Sequence, residues 1–144
     1  MLPEQHRIRT SVQFSATTRS GARNGRRNVV VYVRPTDEER PARFGFVVSK
    51  AVGNAVRRNR VKRRLRELAQ TTVREAPYGY DVVVRALPPA SRADWAELAA
   101  DYAKAWRTAS ARAGAPGTAG TTTTAGMTTT AAEDRRPARE EPES

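Results

Sequence analysis

Between Arg57 and Arg66 the sequence Arg-Arg-Asn-Arg-Val-Lys-Arg-Arg-Leu-Arg puts seven cations into ten residues. Guanidinium and ammonium groups at that density are suited above all to neutralising phosphates. Asn59 adds an amide able to meet a sugar or base edge. On a helical wheel, at about 100° per residue, Val61, Leu65, Leu68 and Thr72 form one narrow apolar stripe, and all seven cations lie outside it. Asn59, Arg63, Arg66 and Gln70 form the opposite ridge, flanked by Arg60 and Arg64 on one side and by Arg58 and Lys62 on the other. Like charges at i and i+4 cost ~0.2–0.5 kcal/mol a pair, and Glu67 is the one acid close enough to relieve them. A solvated surface helix intersperses both signs, and a membrane-surface helix needs a broader apolar face than this stripe. RNA or DNA is the polyanion that fits.

The side chains of protein-based catalysis are scarce. The chain has no Cys, and His6 is its one imidazole, so thiol nucleophiles, zinc ribbons, His-based triads and multi-His metal sites are excluded. A two-metal nuclease needs clustered carboxylates, yet Asp37, Glu38 and Glu39 share one turn, Glu67 and Glu75 sit on the basic segment, and Asp94, Glu97 and Asp101 read as the outer face of a later helix. Over the 144 residues, 26 Lys and Arg stand against 15 Asp and Glu, a net charge of +11. The excess is uneven: residues 1–113 hold 23 basic and 10 acidic side chains (+13), whereas 114–144 hold 3 and 5 (−2). No apolar run approaches the ~18 residues of a membrane span, and the first residues lack the pattern of a signal peptide. A soluble, cytoplasmic protein without membrane or small-molecule cofactor is expected.

These residues need a scaffold. Residues 114–144, rich in Thr, Gly and Pro, carry Met127 as their one large apolar side chain and read as a disordered tail, leaving a single domain over 1–113. Within it, residues 8–19 suit a short helix with Ile8, Val12 and Ala16 in one stripe and Phe14 on the other side. Asn28–Arg34 and Arg43–Ser49 are β-branched and aromatic runs, paired most simply as an antiparallel hairpin. Asn24-Gly25 is a turn signal compatible with a further short edge strand. Gly53-Asn54 opens a helix over Ala55–Arg74, and Tyr80–Ala86 is a strand, so that parallel pairing across a βαβ unit is one option. Ser91 and Asp94 suggest a capping box for a last helix reaching about Ala111, with Trp95, Leu98, Tyr102 and Trp106 among its core-facing residues.

The run Phe46-Val-Val-Ser-Lys-Ala-Val-Gly-Asn-Ala-Val-Arg-Arg-Asn-Arg-Val-Lys-Arg-Arg-Leu-Arg-Glu67 closely resembles the signature of the protein subunit of bacterial ribonuclease P. The likeness extends with less specificity over residues 3–111, through His6-Arg7-Ile8-Arg9, Phe14, Val30-Val31-Tyr32 and Tyr80–Arg85. It implies an α+β two-layer sandwich ordered helix, three strands, helix, strand, helix, with a left-handed βαβ crossover carrying the basic motif. It also implies that Lys50, Asn54, Arg57, Arg58, Asn59, Arg60, Lys62, Arg63 and Arg66 face a catalytic RNA subunit. Phe14 and Tyr32 match the aromatic positions of a cleft for the single-stranded 5′ leader of precursor tRNA. A basic groove with aromatic faces suits a single strand, at ~1–3 kcal/mol per stacked base. Thr17 and Thr18 stand where many members have another large apolar residue, which implies weaker stacking here.

The expected function is then that of a non-catalytic protein subunit of an endoribonuclease: the chain binds the RNA subunit and the leader, and assists removal of the leader to give the mature tRNA 5′ end. Chemistry and Mg²⁺ would belong mainly to the RNA. The alternatives are a general rRNA- or DNA-binding basic module with no part in cleavage, and a protein nuclease acting alone.

Overall fold

The computed structural model describes residues 2–114. The expected tail lies, apart from Gly114, outside the described residues. The chain forms α1 (Ser11–Ser20), β1 (Ala22–Gly25), β2 (Val29–Pro35), β3 (Arg43–Val47), α2 (Ala55–Glu75), β4 (Tyr80–Ala86) and α3 (Trp95–Ala113), with 3-10 turns at Glu4–His6, Lys50–Val52 and Pro88–Ser91. This is the expected order of helix, three strands, helix, strand, helix, and Asn24-Gly25 does end an edge strand.

The four strands form one sheet in the order β1-β2-β4-β3. β2 pairs antiparallel with β1 and β4, and β3 pairs parallel with β4. The expected β2–β3 hairpin is therefore absent, because β4 is inserted between the two strands. Burial explains why. Val82, Val83 and Val84 are at most 1% exposed, so this strand must be covered on both faces and flanked on both edges.

Alternation along β2 sorts the two faces. Val29, Val31 and Val33 enter the main core with Phe44, Tyr80, Val82 and Val84, where α2 contributes Val61, Leu65, Ala69 and Val73 and α3 contributes Leu98, Tyr102, Ala105 and Ala109. Val30 and Tyr32 point the other way and cluster with Ile8 and Val83, with Phe14 of α1 packed on them. Sheet and α2/α3 are the two main layers, and α1 lies across the opposite face.

Three local expectations change. α1 starts at Ser11, because Thr10 caps it in a reciprocal box with Gln13. Ile8 consequently lies in an extended segment whose N–H donates to the Phe44 carbonyl at 2.9 Å, Val12 is 75% exposed, and the face turned to the sheet carries Phe14 and the fully buried Thr17. In α3 the capping box joins Asp94 to Glu97 rather than Ser91 to Asp94, and the helix runs to Ala113, where Gly114 ends it in the left-handed region at φ 75°. Trp106 packs 5.2 Å from the Tyr80 ring and Tyr102 is buried, but Trp95 is 42% exposed, outside the core expected for it. Asp101 is not an outer-face residue either: Oδ2 accepts from the Asn28 backbone N–H at 3.0 Å and from Nδ2 at 2.8 Å, tying α3 to the start of β2.

Three strands also meet at one charge cluster. Arg34, Asp81 and Arg43 are register partners across β2, β4 and β3. The Asp81 carboxylate, 1% exposed, accepts from Arg43 Nε at 2.9 Å and Nη2 at 2.8 Å, and from Arg34 Nη1 at 3.4 Å. The hydrogen bonds to Asp81 raise the Arg43 pKa, which holds the guanidinium in its charged form. A buried carboxylate stripped of its partner is costly. Arg43→Ala is expected to lower unfolding stability by about 3 kcal/mol and Arg34→Ala, whose side chain is more exposed, by under about 1 kcal/mol, measured as urea midpoints at constant slope.

Candidate nucleic-acid interface

α2 projects its cations because only one side of it reaches the core. Val61, Leu65, Ala69, Thr72 and Val73 are buried, and the Thr72 hydroxyl shares a 2.7 Å hydrogen bond with the hydroxyl of Tyr102 on α3. Burial raises the pKa of Tyr102, and that of Tyr80 beside it, so both phenols are neutral packing groups. On the other side Arg57, Asn59, Arg60 and Arg63 are exposed, while Arg58, Lys62, Arg64 and Arg66 are half-buried along the flanks. None of the seven cations has a carboxylate partner among the described residues. The helix therefore presents its charge unneutralised.

The start of α2 is built by two adjoining residues. Gly53 sits at φ 152°, a region that L side chains rarely adopt, with Arg57 folded against it. Asn54 accepts the Arg57 backbone N–H on Oδ1 at 3.0 Å, so its amide oxygen is engaged as the expected N-cap. Arg58 turns back as well, donating from Nε to the Gly53 carbonyl at 3.1 Å. Lys50 is exposed on the preceding 3-10 turn. Arg64 reaches across to the Ala93 carbonyl at 3.2 Å, linking the cationic helix to the segment ahead of α3.

Lys62 and Arg66 have a second neighbourhood. They line a cleft of about 180 Å³ with Arg7 and Ile8 of the N-terminal segment, Phe14 of α1, and Phe44, Gly45 and Phe46 of β3. Its floor depends on Gly45. A Cβ there would fall 2.6 Å from Cε1 and Cζ of Phe14 and 3.2 Å from Cβ of Ile8, so the missing side chain is what lets the ring lie against the strand. Phe14, expected away from its helix's buried stripe, instead faces the sheet and is half-buried.

Tyr32 does not line this cleft. The register row Gly45, Val83, Tyr32, Arg23 sets it two strands from Gly45, roughly 10 Å at ordinary strand spacing. Its ring is 8% exposed, with the Arg23 guanidinium 5.9 Å from the centroid. Phe14 and Tyr32 still belong to one apolar cluster on this face. Thr17 is buried, and the Thr18 hydroxyl donates to the Phe14 carbonyl at 3.1 Å, so neither supplies a stacking surface.

Sequence reasoning missed Arg7, Phe44, Gly45 and Phe46 as cleft residues. The available signal was a glycine between two aromatics in a strand, which marks a close approach by another group. Among the described residues no three His, Cys, Asp or Glu side chains converge on a metal position, and no helix is long and apolar enough to cross a membrane.

The family model "Ribonuclease P" matches residues 2–110 of the chain. The sequence is 67% identical over 112 residues to the ribonuclease P protein component of Kocuria rhizophila, covering 78% of this chain and 98% of that protein. It is 53% identical over 114 residues to that of an Arthrobacter species, covering 79% and 84%. Among solved structures, the ribonuclease P protein of Staphylococcus aureus superposes with a TM-score of 0.65 at 28% identity, over 72% of this chain and 94% of that one. That of Thermotoga maritima gives 0.60 at 27% identity, over 68% and 92%.

Because Asn54 acts as a cap, its replacements should sort by capping ability. Asn54→Ala is expected to cost about 1 kcal/mol of stability and Asn54→Asp or Asn54→Ser a few tenths or less, read as thermal midpoints without RNA. Equal losses for all three variants would remove the cap from the account.

Proposed function

This chain belongs to the ribonuclease P protein family, and from that membership we propose that it is the protein subunit of a bacterial ribonuclease P. In this reading it binds the catalytic RNA and the 5′ leader of precursor tRNA, in the cytoplasm, and assists endonucleolytic removal of the leader. The observation that carries the reading is the continuity of two surfaces: the unneutralised face of α2 runs through Lys62 and Arg66 into the cleft beneath Phe14. A cationic helix alone would serve any RNA or DNA. A cationic helix whose flank is also the wall of an aromatic cleft suits a structured RNA and a single strand held side by side.

Two physical contributions follow. Arg57, Asn59, Arg60 and Arg63, with Lys50 and Arg58 beside them, reduce the phosphate repulsion between two RNAs that must approach each other. Phe14, with Lys62, Arg66 and Arg7 around it, holds leader nucleotides by one ring face and nearby charge. Tyr32 supports that face from beneath Arg23. Asn54 contributes by starting the helix in the right direction.

Mg²⁺ is assigned mainly to the RNA subunit. Of the ten described carboxylates, Asp81 is engaged by two arginines, Asp101 by Asn28, and Asp94 and Glu97 by their own cap, and no three His, Cys, Asp or Glu side chains among the described residues converge on a metal position. Bond cleavage is accordingly assigned to the RNA, with the protein setting affinity.

Reconstitution with a bacterial ribonuclease P RNA tests the reading directly. The protein is expected to enhance cleavage of precursor tRNA at low Mg²⁺ and to be inert without the RNA. Enhancement absent, with tight binding to generic duplexes, would favour a general basic module; cleavage by the protein alone would mean a nuclease. Arg63→Ala should weaken binding of the RNA subunit and reduce the salt slope of log K by roughly 0.7–0.9, measured by filter binding across a salt series. Phe14→Ala should lose discrimination between precursor and mature tRNA with RNA-subunit affinity nearly intact, and Gly45→Ala, which displaces the same ring, should share that phenotype.

A further inference from the structure

Trp95 is the largest side chain left in solvent at 42% exposure, and the sequence pattern had assigned it to the core. Its position gives that exposure a meaning. It is the first residue of α3, directly after the Asp94 cap and two residues after the buried Ala93. The Ala93 carbonyl is the acceptor for Arg64 Nη1 at 3.2 Å, so a cation of α2 lies within a few ångströms of the backbone that carries the indole. Arg60, one turn back on the same side of α2, is exposed, and Arg92 is exposed on the α3 side. An exposed aromatic ring on a surface that also carries exposed guanidinium groups is a combination that takes a nucleobase together with its phosphates.

We propose that Trp95 is a base-stacking platform, where the RNA-binding surface of α2 continues onto the start of α3 and receives an unpaired nucleobase of the RNA subunit. The local charges favour a base over backbone at this point. Asp94 and Glu97 share the first turn of α3 with Trp95 and are held in their reciprocal cap, with Glu97 N–H to Asp94 Oδ1 at 2.8 Å and Asp94 N–H to Glu97 Oε1 at 3.0 Å. Their carboxylates keep phosphates away from the helix start, while Arg60 and Arg64 hold them on the α2 side. A neutral base meets the ring without crossing the acids. The site is remote in the fold from Phe14: the leader cleft opens on β3 and α1, whereas Trp95 begins the helix that packs on the other face of the sheet. The inference rests on the reading that α2 faces the RNA subunit, and its test separates the two.

Trp95 and Trp106 are the only tryptophans, and Trp106 is half-buried against the core, so a Trp106→Phe background makes indole fluorescence a report on Trp95. Titration of the full chain with ribonuclease P RNA should quench the exposed component and protect it from acrylamide, and a Trp106→Phe background should show the same change from Trp95 alone. Trp95→Ala should weaken RNA-subunit binding about thirtyfold, a middle value for one stacked base. It should leave the thermal midpoint and the salt slope of binding unchanged, since no phosphate contact is lost. Trp95→Phe should recover part of the affinity and Trp95→Leu none. No quenching in a complex that Arg63→Ala still weakens would overturn the platform while keeping α2 on the RNA. Loss of the Arg63 effect as well would instead overturn the reading beneath it. Full recovery by Trp95→Leu, or affinity falling only in step with thermal stability, would make Trp95 a packing residue and also defeat the proposal.

Discussion

A helix bearing seven cations in ten residues must be held down by something other than charge. Six of its i,i+3 and i,i+4 pairs are cation against cation, and at ~0.2–0.5 kcal/mol each their repulsion amounts to roughly 1–3 kcal/mol. Complete burial of an aliphatic side chain contributes ~1.5–3 kcal/mol. Val61 and Leu65, at 1% and 0% exposure, are therefore enough to offset the repulsion, with Ala69 and Val73 adding to them. Every other arrangement in the molecule follows from that balance. The stripe must be narrow so that both flanks stay polar, and the sheet must offer a face already closed by α3 so that a narrow stripe is sufficient.

The same economy governs the interior of the sheet. Asp81 neutralises arginines on both neighbouring strands, and Asp101 spends its carboxylate on the start of β2. Both acids bind inward, on structure, where they cannot screen α2. Of the described acids, Glu67 remains near the basic ridge. The body's positive potential is thus concentrated on one helix by what the acids are doing elsewhere, as much as by the run of arginines itself.

Much of this was legible in the sequence, for reasons that differ by element. Tyr80–Ala86 reads as a strand to the residue, because Tyr-Asp-Val-Val-Val-Arg-Ala is β-branched and bounded by Gly79 and Pro88. The α2 stripe and its cap follow from spacing alone. Strand neighbours do not, since adjacency along the chain favours a β2–β3 hairpin, and only the burial of β4 on both faces shows that it takes the centre. α1 defeated a periodicity argument because it is ten residues long and its phase is fixed by a Thr10 cap rather than by Ile8. Asn54 is legible as the helix cap, because Gly53-Asn54 stands directly ahead of the basic run, and its bond to Arg57 N–H bears that out. The joining of Lys62 and Arg66 to Phe14 instead depends on three segments distant in sequence.

The position of β4 also sets an order of assembly. β1 and β2 can pair as soon as they leave the ribosome, since only a short turn separates them. β3 cannot join that sheet, because its one strand partner begins about thirty residues later, after the whole of α2. At ~5–20 residues per second, the basic segment is exposed for a few seconds with its docking stripe uncovered and its cations at full strength. The sheet closes only when the last-made strand is set between β2 and β3, and the core only when α3 follows it with Leu98, Tyr102, Ala105 and Ala109, so the sheet order makes completion of the core a late event in the life of the chain.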